Sequence, residues 1–93
     1  MPSSTGSRAH AAVVEALTAA RERAALTQRE LVERLPAWLG LTQSAVAKIE
    51  TGRRSLSFVE AQELCQVLGI TVDELDRRAV QIVEARRNIR RKK

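Results

Sequence analysis

The sequence predicts an all-α fold, five helices in one small bundle, on three observations. Apolar residues make up 44% of the 93 positions but aromatics only 2%, with one Trp, one Phe and no Tyr. Most of the apolar share is Ala, Leu and Val, a mix that favours helices packed through small and branched aliphatic side chains over a β-sandwich. Three tetrads, Thr27-Gln28-Arg29-Glu30, Ser57-Phe58-Val59-Glu60 and Thr71-Val72-Asp73-Glu74, each stand just ahead of an apolar run of helical period. A hydroxyl residue followed three positions later by Glu is a capping box, in which each side chain satisfies one orphan N–H at a helix start. No stretch shows strand-like alternation of any length.

The elements follow in order. Residues 1–8 form a polar arm rich in Ser and Gly. From about Ala9 to Ala25, Val13, Leu17, Ala20 and Ala24 recur at helical spacing, which predicts the first helix. The second starts at Thr27, turns Leu31, Val32 and Leu35 inward and is broken by Pro36. A short extra turn around Pro36-Ala37-Trp38-Leu39 is expected to pack Trp38 and Leu39 on the bundle. Thr42 caps the third helix, which runs through Glu50 and stops near Gly52. It turns Val46 and Ile49 inward and Gln43, Ser44, Ala47 and Lys48 outward. The fourth opens at Ser57, packs Ala61, Leu64, Cys65 and Leu68 inward, and ends at Gly69. His10 is expected to be exposed and without a ligand role.

In the fifth helix, Val72, Leu75, Ala79, Ile82, Arg86 and Ile89 follow one another at alternating steps of three and four residues, a heptad seam. Twenty helical residues reach about 30 Å, longer than so small a bundle needs. The seam predicts dimerisation through Leu75, Ala79, Ile82 and Ile89, with Arg86 the odd polar member. The plainer alternative is a helix whose first half packs on its own core. Residues 86–93 are expected to be disordered without a ligand. The chain thus divides into an arm over 1–8, a helical domain over 9–76 and a basic extension over 77–93.

Charge and composition narrow the function. Formal net charge is +5, from 16 Lys and Arg against 11 Asp and Glu. From Arg77 to Lys93 eight basic residues face one acid, Glu84, so that stretch carries +7 and residues 1–76 sum to −2. A basic C-terminal end therefore accounts for the high pI, and affinity for nucleic acid must rest on local features of the first 76 residues as well. One Cys and one His leave no disulfide framework and no cysteine-based zinc site, and neither metal nor cofactor is expected. No nucleophile–base pair, paired acids or Gly-rich phosphate loop points to an enzyme. No apolar run approaches the roughly 20 residues of a membrane span, and Met1–Ser7 lacks the apolar core of a signal peptide, so the expected address is cytoplasmic.

The unit from Thr27 to Gly52 carries the chemistry. The major groove of B-DNA, about 12 Å wide, admits one helix. The third helix has a polar first turn and no acid before Glu50. Gln43 can pair bidentately with adenine, Ser44 can donate to or accept from any base, and Lys48 can reach guanine or a phosphate. The N–H groups that open the second and third helices suit phosphate oxygens, which places Gln28 for such a contact, with Thr27 first a cap and second a phosphate ligand. Arg53 and Arg54 follow the third helix and can grip the backbone without sensing sequence.

Leu26-Thr27-Gln28-Arg29-Glu30-Leu31, then Gly40 through Arg54, then Leu64 to Ile70, resemble the phage repressor/Cro-type helix-turn-helix proteins of the XRE family. The resemblance covers roughly residues 10–76. It implies a repressor-like five-helix bundle, double-stranded operator DNA as ligand, and a homodimer on a pseudo-palindrome. By position, Gln43, Ser44 and Lys48 match base-reading residues, and Gln28 and Arg53 match phosphate contacts. Arg21 and Glu50 match an ion pair between the first and third helices that would orient the recognition helix. About four residues around Pro36-Ala37-Trp38-Leu39 depart from the family pattern as an insertion. A protein-interaction module on the same fold, such as an antitoxin or an antagonist of a partner protein, is the alternative.

Overall fold

The computed structural model describes residues 8–91, with side chains through Ile89. The arm expected over 1–8 lies outside them except for Arg8, which already opens the first helix, and Lys92 and Lys93 also lie outside. Five α-helices and one 3-10 turn follow in order: α1 (Arg8–Arg23), α2 (Gln28–Glu33), the turn Ala37–Leu39, α3 (Gln43–Glu50), α4 (Phe58–Leu68) and α5 (Val72–Arg91). The fold is all-helical, as expected, and α5 runs unbroken through the 76/77 boundary drawn from composition.

α1 is the centre of the bundle: it lies along α5 and also touches α3 and α4. Its buried face is therefore wider than a single stripe and takes in Ala12, Val14, Ala16, Leu17 and Ala20. Small residues at 12, 16 and 20 let neighbouring backbones approach. α1 ends two residues earlier than expected. Ala24 sits in an exposed turn, and Ala25 takes a left-handed φ of 58°. There the Ala25 N–H donates to Glu22 O and the Leu26 N–H to Arg21 O, the closing pattern usually given to glycine. An alanine in this conformation costs about 1 kcal/mol.

The capping boxes at Thr27 and Ser57 are both complete. At Thr71 half of one forms: its Oγ1 accepts the Glu74 N–H, while the Glu74 carboxylate turns forward to Arg78, 2.5 Å away. The core joins Val14 and Leu17 of α1 to Leu31, Leu41, Val46, Ile49, Leu64, Cys65 and Leu75. Burial pushes the Cys65 thiol pKa up, so this free cysteine packs as an apolar side chain.

Two expectations are corrected. Residues 37–39 do form a helical turn, and Leu39 packs against the core, but Trp38 is 69% exposed. Successive residues of a 3-10 turn point about 120° apart, so a three-residue turn that seats Leu39 swings its neighbour outward. The C-terminal run is helical to Arg91 rather than disordered from Arg86, and Arg86 Nη2 donates to Glu15 Oε1 of α1 at 2.6 Å.

That contact also shows where the heptad seam points. Leu75 and Ala79 are buried in this chain's own core, Ile82 packs against the core, and Arg86 pairs with Glu15. Most of the seam thus faces the same chain, which leaves Val72 at its start and Ile89, 66% exposed, as its open apolar members. No helix among the described residues is long and apolar enough to cross a membrane.

Candidate nucleic-acid interface

α3 is built to show one edge and bury the other. Thr42 Oγ1 accepts the Ala45 N–H and starts the helix. Val46 and Ile49, three residues apart, are buried, while Gln43, Ser44 and Lys48 are exposed. At its C-terminal end Gly52, at φ 79°, lets the chain reverse. The Gly52 N–H donates to Ile49 O and the Arg53 N–H to Lys48 O, a Schellman closure that aims the following loop back past the helix end. The exposed edge thus runs from Gln43 and Ser44 through Lys48 to Arg53. Lys48 and Arg53 have no acidic partner among the described residues, so both cations are available to a phosphate or a base edge.

Glu50, the one acid of α3, is enclosed by donors. Arg21 Nε donates to Oε2 at 2.8 Å and Arg21 Nη2 to Oε1 at 3.0 Å, while Gln28 Nε2 donates to Oε1 at 2.7 Å. Arg21 also donates through Nη1 to Leu26 O at 2.7 Å. The Arg21 and Glu50 side chains are each 13% exposed, and Glu50 pushes the Arg21 pKa up. One side-chain node therefore joins the end of α1, the start of α2 and the end of α3. It neutralises the carboxylate that would otherwise repel a polyanion, and it sets the angle of α3 against its neighbours. Gln28, expected at a phosphate, spends one amide hydrogen on Glu50 and keeps the second for an outside acceptor.

The loop after α3 is tied as firmly. Arg54 grips Glu60 with two bonds, Nη1 to Oε1 at 3.0 Å and Nη2 to Oε2 at 2.9 Å. Glu60 Oε1 also accepts the Ser57 N–H at 3.0 Å. The Arg54 guanidinium holds the Glu60 carboxyl below the usual carboxylate range, and the Ser57 N–H adds to that. Arg54, expected to hold a phosphate, is thus engaged within the protein, although its side chain remains 38% exposed. His10 is half-buried rather than exposed: its Nε2 accepts the Leu56 N–H at 3.0 Å and ties the first turn of α1 to the same loop. Thr27 is a cap, with both its hydroxyl oxygen and its N–H bonded to Glu30.

Neither the Arg54–Glu60 grip nor the His10–Leu56 bond was foreseen. The only available signal was Glu60 as a capping-box acid, which left its second oxygen without an assignment. Among the described residues, no group of three or more His, Cys, Asp or Glu is arranged to hold a metal ion. The arrangement is a helix edge of amide, hydroxyl and ammonium groups, flanked by an arginine without an acidic partner among the described residues and backed by a neutralised acid.

Among known protein families, the sequence model of the helix-turn-helix domain matches residues 12–77, more than two thirds of the chain. No curated protein and no solved structure matched it.

Proposed function

The chain belongs to the helix-turn-helix domain family, and from that premise we propose that it is a sequence-specific regulator of transcription of the repressor/Cro (XRE) type. It binds double-stranded DNA as a homodimer on a pseudo-palindromic operator and acts as a repressor in the cytoplasm. Residues 9–76 form the DNA-binding domain and 77–93 a basic extension. α3 enters the major groove, where Gln43, Ser44 and Lys48 meet base edges. Arg53, the second amide hydrogen of Gln28, and Thr27 meet phosphates, with Arg54 contributing its exposed charge.

The observation that carries this reading is the two-sided character of α3. Its apolar edge is seated in the core, its polar edge is open, and its acid is cancelled by Arg21. Amphipathicity alone is common to surface helices; what sets α3 apart is that its one acid is taken up by Arg21 and Gln28, which leaves an exposed edge of amide, hydroxyl and ammonium groups. Titration of labelled duplex with the parent and with Gln43→Ala tests it. The variant is expected to lose about 1–3 kcal/mol of binding free energy on the selected site and to relax one base position. Equal affinity and equal selectivity would remove Gln43 from the contact set.

A second reading, a module that binds a partner protein, draws on Trp38. An indole 69% exposed on an inserted turn is the kind of rigid apolar anchor found at protein interfaces. Retention of every DNA property in Trp38→Ala, with loss of a protein partner, would favour it.

A further inference from the structure

We propose that Arg8 and Arg87, flanking Arg86, form a second phosphate-binding surface that grips the DNA backbone beside the segment read by α3. This inference rests on the DNA-binding reading above and extends it to a site made by α1 and α5.

Arg8 opens α1, and Arg86 and Arg87 lie near the end of α5. Together with Ala11 and Val83 they line a cleft of about 200 Å³ between the two helices. Its floor is apolar and its rim is cationic. Arg86 is already paired: it donates to Glu15 of α1 and so links the two helices beside the cleft. Arg8 and Arg87 are exposed and have no acidic partner among the described residues. Three guanidinium groups against one carboxylate leave the cleft with an unbalanced positive charge, which a bound anion relieves. The planar fork of arginine matches phosphate oxygens in two parallel bonds.

Its position favours the DNA backbone as the source of that phosphate. Ala11 lines this cleft and also a second groove, which His10 and Glu15 line together with Thr51 and Gly52 at the exit of α3. The His10–Leu56 bond fastens the same turn of α1 to the loop that begins with Arg53. The cationic cleft and the groove at the exit of α3 therefore meet at the first turns of α1. A duplex carries one charge per roughly 1.7 Å of axis, so DNA seated on α3 continues past this point with phosphates to offer. Four more basic residues, Arg90, Arg91, Lys92 and Lys93, follow Arg87 in the sequence.

The test compares the full chain with two double variants, Arg8→Gln with Arg87→Gln and Arg8→Lys with Arg87→Lys. Binding to a random-sequence duplex longer than two helical turns is measured between about 50 and 200 mM salt. Each lost phosphate contact lowers the slope of log K against log salt by about 0.9, so the Gln pair is expected to flatten it by about 1.8. The affinity gap between parent and Gln pair then narrows about tenfold across that salt range. The Lys pair, which keeps both charges, is expected to retain the parent slope. Both residues are exposed and unpaired, so thermal unfolding should be unchanged in either variant. A parent that binds duplex with a slope the Gln pair leaves unaltered overturns this inference and leaves the role of α3 standing. Equal flattening in the Lys pair also overturns it, because charge would then not be the cause. Loss of binding to anionic vesicles with an unaltered DNA slope would assign the cleft to a membrane surface and overturn it as well. A parent indifferent to every duplex removes the DNA reading and this inference together.

Discussion

The chain enters α3 through residues 34–42 and leaves it through residues 51–57, and the two passages are held by different chemistry. On the way in, Leu35 and Leu39 pack against the core and Leu41 is buried, Pro36 caps its turn without a side-chain bond, and the side-chain bond there, the Thr42 cap on Ala45, is internal to α3 and ties it to no neighbouring helix. Gly40 closes that turn at φ 68°, and Trp38 stands in solvent. On the way out, the chain is fixed by the Schellman closure at Gly52, the two-bonded grip of Arg54 on Glu60, and the His10–Leu56 bond. The Arg21–Glu50–Gln28 node completes the anchorage. Apolar contacts hold a segment in place without dictating its direction. Hydrogen bonds and ion pairs of defined geometry dictate direction as well. The directional bonds that join α3 to its neighbours thus cluster at its C-terminal end, while the 3-10 turn at its entrance presents Trp38 to solvent.

Substitutions at the two passages sharpen this contrast, beginning with the node. Glu50→Ala removes the shared acceptor of Arg21 and Gln28 and leaves a largely buried guanidinium without its partner. The expected loss is about 2–3 kcal/mol in unfolding free energy, somewhat below a fully buried pair because both groups keep some exposure. A urea midpoint within error of the parent would show that the node does not hold the exit.

A smaller effect is expected at Glu60→Gln, about 1 kcal/mol, since glutamine preserves the capping box and Arg54 is partly screened by solvent. Here the pH dependence has a definite sign. Glu60 has a lower pKa folded than unfolded, so its contribution is complete above the unfolded value of about 4.3 and is lost as pH falls through the folded value. Acid should therefore cost the parent more stability than it costs the variant. Parallel stability curves below about pH 4.5 would contradict the ion pair.

The smallest effect belongs to the entrance. Trp38→Ala is expected to leave stability within about 0.5 kcal/mol, because the side chain covers little of the core. A loss of the size seen for a buried aromatic, about 3 kcal/mol or more, would mean that the entrance is anchored too and that the contrast is false.

The same contrast marks what could be seen in the sequence. Local rules served well wherever neighbours in the chain decide the structure. The boxes at Thr27 and Ser57, the Thr42 cap and the glycines at 52 and 69 all follow from spacing and residue type. They faltered where a side chain chooses between partners. Glu74 prefers Arg78, one helical turn ahead, to completing its box, and Gln28 turns to Glu50. The apolar volume of Trp38 argues for burial, whereas the length of its turn decides its direction. The seam of α5 was legible as a pattern, but a heptad pattern does not say which chain supplies the facing helix. Glu15, 71 residues back in α1, answers Arg86 from within the same molecule. The α1 terminus at Ala25 was missed because its left-handed turn is made by a residue that seldom adopts one.

Selection of bound DNA from a random duplex pool, run in parallel with the parent and Gln43→Ala, tests the role of α3 most directly. Recognition by α3 predicts that the parent enriches a pair of symmetry-related half-sites whose centres lie about 34 Å apart, or a multiple of that. It also predicts that Gln43→Ala loses preference at one position in each half-site and keeps the spacing. Enrichment of no sequence by the parent, or identical preferences from both proteins, would contradict it.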